Sequence, residues 1–472
     1  MEVELPPTVE ECHVLIKHLL TAIEQLQAEF QATQTRMQAE IDELKAQLSR
    51  HSGNSNQPPS SDGFKRGNKS AMPKKKGRRG GQAGHLGKTL RMIQEPDVVE
   101  ICEPEGCVCG ASVWVGEGRA VEKRQVFDLP EQRLEVTEYR RVIKACKCGR
   151  KVSGKFPEEV SAPVQYGRRV QAMTSLLSVH GCLSFGKIGQ FFSDLYSAEL
   201  NQATVQKMIE ETAKKMPGEQ IRAALIASER VNFDESGIKE NGKLKWLHNA
   251  STEKLTYQFV HLRRGKEALE SEKSVFKEFK AVAVHDCWGS YFGFTQMEHA
   301  ICNAHLLREL TGIIENSRSK WGFEMRKLLV KMYHQSDQGK GIIQEIGKYE
   351  KKYEAILKSG DKEEPPPKRT SQKGKWKRTK GRNLLERMSK YRESVLLFAK
   401  RKEVPFTNNQ AERDIRPLKV KQKVCGSFRS ATGSESYAEI HSFISTMRKL
   451  KRQVFKELTE ILEGKPFVLF QT

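Results

Sequence analysis

The first fifty residues carry a periodic pattern of apolar positions that predicts one long helix over residues 8–50. Neither proline nor glycine interrupts this stretch. The apolar or tolerated positions recur at steps of three and four, with a stutter at Met37, and they are Ile16, Leu19, Ile23, Leu26, Phe30, Thr33, Met37, Ile41, Leu44 and Leu48. We interpret residues 1–50 as a coiled coil through which the chain forms a homo-oligomer. An amphipathic helix packed on the chain's own body is the alternative.

A polar stretch without apolar periodicity follows, and we predict a basic flexible linker over residues 51–95. It opens with HSGNSNQPPSSDG, which is too rich in Ser, Asn, Pro and Gly to build a core. Between Asp62 and Glu95 there is no acidic residue, and there are ten basic ones. Such an arm binds phosphates without reading sequence, and a solubilising tail is the alternative. The candidate DNA-contacting residues here are Lys74, Lys75, Lys76, Arg78 and Arg79.

Alternating residues return in the next stretch, where they separate two pairs of cysteines. Each pair forms a Cys-x-Cys-Gly turn, and the strand-like sequence QRLEVTEYRRVIKA lies between them. Glycine after the second cysteine lets backbone N–H groups point at the sulfurs, and four thiolates close a tetrahedral structural zinc site. We predict a small β zinc ribbon over residues 96–160; a β module with unligated thiols is the alternative. The candidate Zn²⁺ ligands are Cys107, Cys109, Cys146 and Cys148, with Cys102 as a substitute for one of them.

Residues 161–225 have helical periodicity, and SAELNQAT is typical of a turn between two helices. This arrangement resembles a helix-turn-helix, in which Gln202 to Lys207 would open the recognition helix. Helical packing units without any DNA-binding role give the same pattern. We therefore predict a helical module with Gln202 and Lys207 as candidate DNA contacts.

Strand-like runs then follow one another, and two of them end on an aspartate. RVNFDESGI contains Asp234, KLKWLHNAS and LTYQFVHLR come next, GKEALESEKSVFKEF has helical periodicity, and KAVAVHDCWGSYFGF contains Asp286. This order predicts an α/β fold with an RNase H-like core, whose first part comprises residues 226–319. In such a core the first strand is central and the next parallel strand lies beside it, so the two carboxylates emerge side by side.

The stretch VPFTNNQAERDIRPLKV at 404–420 predicts a helix that starts near Asn408. Asn408, Glu412 and Arg416 are four residues apart and share one face, with Lys419 near the same stripe. Taken alone, this stretch is typical of a salt-bridged surface helix. The two upstream aspartates give Glu412 a further role, as the third carboxylate of a catalytic site.

Residues 320–400 are predicted to be a helical insertion that ends in a basic tract, and residues 401–472 complete the core with C-terminal helices. Three carboxylates from two strands and a helix can hold two Mg²⁺ (or Mn²⁺) ions about 4 Å apart, one at the attacking oxygen and one at the leaving oxygen of an in-line displacement. The candidate metal ligands are Asp234, Asp286 and Glu412.

The net charge indicates what these segments bind. The chain has 81 Lys and Arg against 59 Asp and Glu, a formal charge of +22. This excess indicates a polyanionic partner, and nucleic acid more than a membrane, because no apolar run reaches the eighteen or so residues of a membrane span. Ten cysteines behind an acidic N-terminus without a signal-peptide core indicate reduced thiols and metal ligands. We expect an intracellular protein.

The sequence NNQAERDIRP resembles the C-terminal signature of DDE transposases of the insertion-sequence sixty-six (TnpC-type) family. Other stretches are similar to that family in the same order and extend the resemblance over nearly the whole chain. They are the N-terminal zipper, NSNQPPSSDG with GRRGGQAGHLGKTL, the cysteine module, the strand with Asp234, and HDCWGSY with Asp286. The Asp-Glu-Ser at 234–236 is close to the Asp-Glu-Thr of the family. Cys-Trp-Gly-Ser-Tyr at 287–291 stands where the family has Gly-Tyr-x-x-Tyr.

The sequence CNAH, which includes Cys302 and His305, resembles the C-x-x-H element that follows the second aspartate in several DDE families. Two such residues on a helix more often pack than bind a metal, so we leave them outside the predicted metal site.

The resemblance implies an enzyme that cleaves DNA at the ends of an insertion sequence and transfers the freed strands into target DNA. The catalytic triad is then Asp234, Asp286 and Glu412. Three cationic residues would brace phosphates or the catalytic helix, and Asn408 would orient the Glu412 side; the cations are Arg413, Arg416 and Lys419.

The implied partners are terminal inverted repeats and target DNA, with accessory proteins of the same element as further candidates, in the nucleoid of a bacterial cytoplasm. Two other functions stay open. A catalytically inactive, element-derived repressor should have lost a carboxylate, and none is lost. An RNase H-fold repair nuclease would need neither the zipper nor the basic arm.

Overall fold

A computed structural model describes residues 8–55, 57, 62, 90–103, 105, 107–110, 115–116, 122–336, 341–366 and 378–470. The chain divides into two compact units. The larger comprises Met1–Pro73, Tyr166–Ser184 and Gln206–Thr472, and the smaller comprises Lys74–Gln165 and Phe185–Val205. The predicted DNA contacts of the basic arm lie outside the described residues; they are Lys74, Lys75, Lys76, Arg78 and Arg79.

The described chain combines helices with a mixed sheet, as the α/β prediction requires. In chain order the helices are α1 (Val9–Leu48), α2 (Arg168–Val179), α3 (Phe185–Tyr196), α4 (Gln202–Lys214), α5 (Gly218–Ile226), α6 (Lys266–Leu269), α7 (Val275–Glu278), α8 (Asn303–Ser317), α9 (Lys320–Gln335), α10 (Ile346–Glu363), α11 (Lys380–Lys390), α12 (Arg392–Lys400), α13 (Asn409–Cys425), α14 (Ala431–Lys449) and α15 (Val454–Leu462). The strands are β1 (Ile143–Ala145), β2 (Lys151–Ser153), β3 (Arg230–Glu240), β4 (Lys243–Ser251), β5 (Thr256–His261), β6 (Val282–His285) and β7 (Glu298–Ile301).

Five strands of the larger unit form one sheet in the order β5-β4-β3-β6-β7, so the first strand of the unit is central. β3, β6 and β7 are parallel, whereas β4 and β5 run antiparallel to their neighbours. Asn241 and Gly242, both with positive φ, close the β3–β4 hairpin, because a two-residue turn of this hand matches the twist of the strands. The first half of β3 therefore lies beside the whole of β6, and the carboxyl end of β6 meets the middle of β3.

Alternation along the strands gives the sheet two buried faces. Val231 and Phe233 of β3 join Ala283 of β6 in one apolar cluster, together with aromatic rings from α7 and the segment after β6. On the other face Val282 and Val284 pack in a second cluster, which is filled by helices α8 to α12. The residues of β3 that alternate with Val231 and Phe233 lie on this second side, and α13 packs across β3 and β4.

The predicted insertion is more helical than its sequence indicated. Helices α9 and α10 cover its first part as expected, and α11 and α12 continue it beyond the tract that lies outside the described residues. Trp321, Leu329, Met388 and Phe398 from these helices are almost fully buried. The insertion is thus part of the core that supports β6 and β7.

The long N-terminal helix has the predicted extent, and its apolar stripe is exposed. α1 runs for 40 residues from an N-cap at Thr8, whose side chain accepts the Glu11 N–H. Leu19, Leu26 and Phe30 are each more than half exposed in the single chain. α1 therefore presents the surface that a coiled coil would bury, although the chain itself does not cover it.

The turn that follows α1 is ordered by α8, unlike the flexible linker that its composition predicts. Asn54 is only 6 % exposed. Its amide donates to the Ser49 carbonyl at 3.0 Å and to the Glu315 carboxylate at 2.7 Å, and its backbone oxygen lies against Gly312. Polar residues that cannot build a core can still be fixed by hydrogen bonds to an existing one. The start of the predicted linker is consequently docked on the larger unit.

Two further differences concern short segments. The helix predicted for GKEALESEKSVFKEF is divided into α6 and α7, because Ser274 caps a new helix start by accepting the Phe276 N–H. Strand β7 carries no alternation signal of its own and was not predicted. Among the described helices, none is both long and apolar enough to cross a lipid bilayer.

In the smaller unit, each predicted Cys-x-Cys-Gly turn is present. The N–H of Gly110 donates to the Cys107 carbonyl at 2.8 Å, and that of Gly149 donates to the Cys146 carbonyl at 2.9 Å. Both glycines have positive φ, which a residue with a Cβ adopts at a cost. The second turn is the loop of the β1–β2 hairpin. Of the predicted strand-like stretch QRLEVTEYRRVIKA, only the last residues, Ile143–Ala145, pair as a strand, and the rest is irregular.

Candidate active site

Asp234 and Asp286 occupy equivalent positions on two adjacent parallel strands. Asn232 of β3 is paired with Val284 of β6. Asp234 lies two residues further along β3, and Asp286 lies two residues after Val284, directly beyond the end of β6. Since residues two apart point to the same face, both aspartates lie on the face of Asn232, where α13 crosses. The Asp286 carboxylate also accepts the backbone N–H of Trp288 at 3.1 Å, which fixes it at the end of the strand.

The charge on Asp234 is opposed by its surroundings. Burial raises the pKa of this carboxyl well above its usual value, and the charges of Glu235, Asp286 and Glu412 raise it further. A carboxyl whose pKa is raised by three other carboxylates lies in a concentrated field of negative charge. The three predicted catalytic carboxylates therefore come together in the structure, from positions 52 and 126 residues apart in the sequence.

Glu412 reaches this cluster from the first turn of α13, whose start is held by Asn408. The Asn408 side chain accepts a hydrogen bond from the Asn232 amide at 2.8 Å and donates one to the Phe233 carbonyl at 2.7 Å. Asn408 occupies the N-cap position, but its side chain makes no capping bond. Its amide is used to join the helix to β3 instead. The start of α13 is thus fixed next to Asp234.

The carboxylate of Glu412 faces two cations on α8. Its Oε1 lies 3.9 Å from His305 Nε2 and 4.0 Å from the Arg308 guanidinium. At these distances the groups attract each other without forming a hydrogen bond, and Glu412 Oε1 is a buried atom with no hydrogen-bond partner. An unsatisfied buried carboxylate oxygen is costly, which is typical of a site that binds a cation.

Cys302 and His305 complete the surroundings of Glu412. Burial would lower the pKa of His305, but its interaction with Cys302 outweighs burial and raises that pKa to about 9. Burial likewise would raise the pKa of the Cys302 thiol, and His305 together with the Asn408 N–H lowers it. The ligand atoms of Cys302, His305 and Glu412 lie within 4.8 Å of one another. The C-x-x-H pair that sequence reasoning left out thus adjoins the third carboxylate.

Glu235, which follows Asp234 in the chain, forms buried contacts with Arg264 and Tyr291. Its carboxylate accepts hydrogen bonds from Arg264 Nε at 2.7 Å and from the Tyr291 hydroxyl. Burial raises the pKa of Glu235, an effect that Tyr291 and Arg264 oppose. The Arg264 guanidinium lies 4.3 Å above the Trp288 ring. The segment after Asp286 is therefore built around aromatic contacts to Arg264 and Glu235.

The three cations predicted from the sequence all lie on α13. Lys419 Nζ is 3.4 Å from the Gly237 carbonyl of β3. Burial lowers the pKa of Lys419 and the charge of Asp234 raises it, so Lys419 lies on the side of the carboxylates. Arg413 is exposed and donates to Gln410 on its own helix at 2.8 Å, and Arg416 is also exposed. Lys419 is the member of this group nearest to the site.

Comparison with known protein families identifies this arrangement. The family model of the transposase IS66 family matches residues 164–436, which is more than half of the chain. The chain belongs to the IS66 family of transposases. The family resemblance seen in the sequence is thereby confirmed, and it makes the chain a DNA-binding protein with a function in DNA transposition. A family model of unknown function, DUF6444, matches residues 4–91. No curated protein gives a match.

Several residues that surround the carboxylates of this IS66-family transposase were not predicted from its sequence to belong to the site. They are Glu235, Arg264, Tyr291, Cys302, His305 and Arg308. Arg308 follows His305 by one turn of α8, and its role depends on how α8 meets α13. The C-x-x-H spacing was the one available signal for Cys302 and His305. It gave no reason to connect them with Glu412, which lies 107 residues after His305.

The predicted zinc ligands of the transposase are not gathered in the structure. Cys102, Cys107, Cys109, Cys146 and Cys148 are all exposed. Cys146 and Cys148 interact with each other, and the interaction lowers the pKa of Cys146. Within the described residues, however, no cluster of three or more metal-ligating side chains includes these cysteines. Zinc at this position remains a prediction from the cysteine spacing.

The predicted helix-turn-helix contacts are placed on a surface. Gln202 is the first residue of α4 and is exposed, and Lys207 on the same helix is exposed with Glu211 at 3.9 Å. Helices α3 and α4 are separated at SAELNQAT as expected. Their DNA-binding role remains a prediction.

Proposed function

We propose that this chain is a DDE transposase that cleaves DNA at the ends of an insertion sequence and transfers the freed 3′ ends into target DNA. The observation that carries the proposal is the convergence of Asp234, Asp286 and Glu412 from a central strand, its parallel neighbour and a distant helix. Surface carboxylates paired for stability would be matched with cations. Here three other carboxylates act on Asp234 and outweigh the one cation, His305, that also acts on it.

The sheet order supports an RNase H-like catalytic core. β3 is central, β6 and β7 are parallel to it on one side, and β4 and β5 extend the other side as antiparallel strands. This arrangement is the one expected of such a core from the order of strands in the sequence. Ligands of open α/β sheets bind at the carboxyl ends of parallel strands, and Asp234 and Asp286 lie where the parallel pairing of β3 with β6 ends.

The donor set fits hard divalent cations. Asp234, Asp286 and Glu412 offer only oxygen ligands, which Mg²⁺ and Mn²⁺ prefer, and one buried Glu412 oxygen has no hydrogen-bond partner. When bound, the two ions would supply charge stabilisation for the attacking and leaving oxygens of a phosphodiester. We propose these three side chains as their ligands.

The remaining residues of the site hold Glu412 in position or provide positive charge for the DNA phosphates. Asn408 holds the start of α13 against β3 through two buried hydrogen bonds, so Glu412 keeps its place relative to Asp234. Arg308 and Lys419 border the carboxylates and can attract the phosphate backbone, while the exposed Arg413 and Arg416 extend that cationic edge. No protein nucleophile is needed, because water and then a DNA 3′-hydroxyl attack phosphorus.

The proposal includes the expected assembly and partners. The exposed apolar stripe of α1 supports a homo-oligomer formed through a coiled coil. The formal charge of +22 supports binding of both terminal repeats and target DNA. A structural Zn²⁺ held by the four cysteines of the smaller unit is proposed from their spacing alone.

The test is an activity assay with the purified full-length chain, Mg²⁺ and DNA that carries the terminal repeats of its element. Wild type should cleave and join this DNA. Asp286→Asn should lose at least ~10²-fold in rate, the scale of removing one charge-stabilising group from a catalytic site. Glu324→Gln, an exposed carboxylate on α9, should behave as wild type. Undiminished strand transfer by Asp286→Asn would overturn the triad, and DNA binding without cleavage by wild type would favour the repressor.

A further inference from the structure

A second group of potential metal ligands lies beside the proposed Mg²⁺ site and shares one residue with it. The Cys302 sulfur, a His305 ring nitrogen and a Glu412 carboxylate oxygen lie within 4.8 Å of one another. Cys302 precedes α8, His305 lies in its first turn, and Glu412 lies in the first turn of α13. Two helix starts therefore point three different donor types at one position.

The sulfur of this group has two contacts that favour its metal-binding form. Cys302 has no exposed surface, and its Sγ accepts the backbone N–H of Asn408 at 3.1 Å. It also lies at the N-terminus of the 15-residue α8, whose unpaired N–H groups favour a negative charge. These contacts stabilise the thiolate, which is the form of cysteine that coordinates a cation.

One atom in each of the two other residues has no hydrogen-bond partner, although the His305 ring also interacts with Cys302. His305 Nδ1 and Glu412 Oε1 are both buried atoms without such a partner. Buried polar atoms are nearly always satisfied in folded proteins, and exceptions call for an ion, a water molecule or a function. The partnerless Glu412 oxygen, together with a His305 nitrogen and the Cys302 sulfur within 4.8 Å of one another, makes a set of donors suited to a cation.

We propose that Cys302, His305 and Glu412 form a binding site for a thiophilic divalent cation such as Zn²⁺, and that its occupancy inhibits the transposase by withdrawing Glu412 from Asp234 and Asp286. A sulfur, a nitrogen and an oxygen donor suit Zn²⁺ or Co²⁺, which accept tetrahedral sites with three protein ligands. Mg²⁺ avoids sulfur and prefers six oxygens. The two sites thus select different metals although they share Glu412.

The binding part of this proposal is independent of catalysis, whereas the inhibitory part rests on the proposed role of Glu412. Binding is tested with Co²⁺ alone and the full-length protein, because a cobalt–thiolate bond gives a charge-transfer band in the near ultraviolet. Wild type should show a contribution to this band that Cys302→Ser lacks and that His305→Gln weakens. Cys425→Ser, which removes another cysteine from α13 outside the cluster, should match wild type. The exposed cysteines of the smaller unit contribute equally to all four proteins and cancel in the differences.

Identical cobalt spectra for wild type and Cys302→Ser, with both proteins folded by circular dichroism, would overturn the site. For the inhibitory part, Zn²⁺ is titrated into the Mg²⁺-dependent cleavage assay. Cys302→Ser should need at least about tenfold more Zn²⁺ for half inhibition than Cys425→Ser, a difference that corresponds to about 1.4 kcal/mol of binding. Equal Zn²⁺ sensitivity would reject inhibition while leaving the binding site intact. A wild type without any cleavage would reject the proposed function and not the cobalt result.

Discussion

The side-chain amide of Asn408 donates a 2.7 Å hydrogen bond to the backbone carbonyl of Phe233, the residue that immediately precedes Asp234. The helix that carries Glu412 is thereby joined to the strand that carries Asp234, one residue from the carboxylate itself. Asn408 and its partner Asn232 are only 2 % and 1 % exposed. The bond between the helix of Glu412 and the strand of Asp234 is therefore shielded from water.

Replacing Asn408 by Ala should weaken both stability and catalysis. Removing a side chain that bridges two buried polar groups leaves them unsatisfied, at a cost of about 1–3 kcal/mol of unfolding free energy. Because Asn408 positions Glu412 without contacting the reacting atoms, we expect kcat to fall while binding of the terminal-repeat DNA stays within a few-fold of wild type. Urea unfolding, single-turnover cleavage and DNA titration measure the three quantities. Gln410→Ala, in the same turn but partly exposed, is the control.

Asp234→Asn should make the metal-free protein more stable at neutral pH. Burial and three neighbouring carboxylates raise the pKa of Asp234, so this residue stabilises the fold fully only below its unfolded pKa of about 3.9, and that stability is lost as pH rises. The neutral amide avoids the cost of holding an ionised carboxylate at this buried position, which is on the order of 1–3 kcal/mol of unfolding free energy. The gain in the urea midpoint in EDTA should shrink as pH falls towards the raised pKa.

Added Mg²⁺ provides the matched comparison for this variant. A cation that binds only the folded state stabilises it by mass action, so wild type should gain stability with Mg²⁺ and Asp234→Asn should gain much less. Glu324→Gln should follow wild type in both conditions. A decrease in the stability of metal-free Asp234→Asn would contradict the carboxylate repulsion inferred for this site.

The parts of this site that the sequence predicted are those set by local pattern. β4 has the predicted bounds and β3 the predicted start, because alternating residues and sharp turns specify strands locally. Asp286 was recognisable because it directly follows a buried strand-like run. Asp234 was recognisable because its run was interpreted as ending there, although β3 continues to Glu240. Cys302, His305 and Arg308 were not recognisable as neighbours of Glu412. That neighbourhood depends on how α8 and α13 pack against the sheet, which no short stretch of sequence specifies.

Gly312→Ala should release the turn after α1 from α8. A Cβ at Gly312 would collide with the backbone oxygen of Asn54, and backbone cannot move aside as a flexible side chain can. We expect faster hydrogen exchange in residues 49–55. We also expect the free energy of unfolding to fall by about 1–3 kcal/mol, as is typical of overpacking. Gly347→Ala on α10, where a Cβ meets nothing within 4 Å, should be neutral or stabilising by up to about 1 kcal/mol. Unchanged exchange in Gly312→Ala would show that the turn is not docked.

The apolar face of α1 should be required for self-association. Leu19→Lys combined with Leu26→Lys places two charges on the stripe that a coiled coil would bury, so the assembled protein should dissociate into smaller species. Gln27→Lys, an exposed position outside the stripe, adds charge to the same helix and should leave assembly unchanged. Sedimentation velocity distinguishes these outcomes. Retention of the wild-type oligomer by the double variant would place the association surface elsewhere.

Glu439→Gln should stabilise the protein at pH 8 and much less at pH 5. Burial raises the pKa of Glu439 on α14 to about 7, and nearby Glu219 and Glu435 raise it while Lys273 lowers it. A raised carboxyl pKa gives stability that is present at low pH and is lost as pH rises through 7. The amide removes that loss, which we expect to be on the order of 1–2 kcal/mol at pH 8 for this partly exposed side chain.

The control for this pH dependence is Glu435→Gln, on the same helix but with a half-exposed side chain paired with Lys273 at 3.3 Å. Its effect on the urea midpoint should be small at both pH 5 and pH 8, because exposed ion pairs contribute little. If Glu439→Gln is equally stabilising at both pH values, the gain does not come from ionisation of Glu439.

Helix α8 contacts both the turn that follows the N-terminal helix and the proposed active site. Its last turns hold Asn54 through Glu315 and Gly312, and its first turns face Glu412 through His305 and Arg308. Fifteen residues at 1.5 Å each make α8 a rod of about 22 Å. If two chains pair along α1, their catalytic centres are therefore spaced by rigid rods and not by a loose tether. The separation of the two DNA ends that such a pair can cut together would then be a fixed length of the protein.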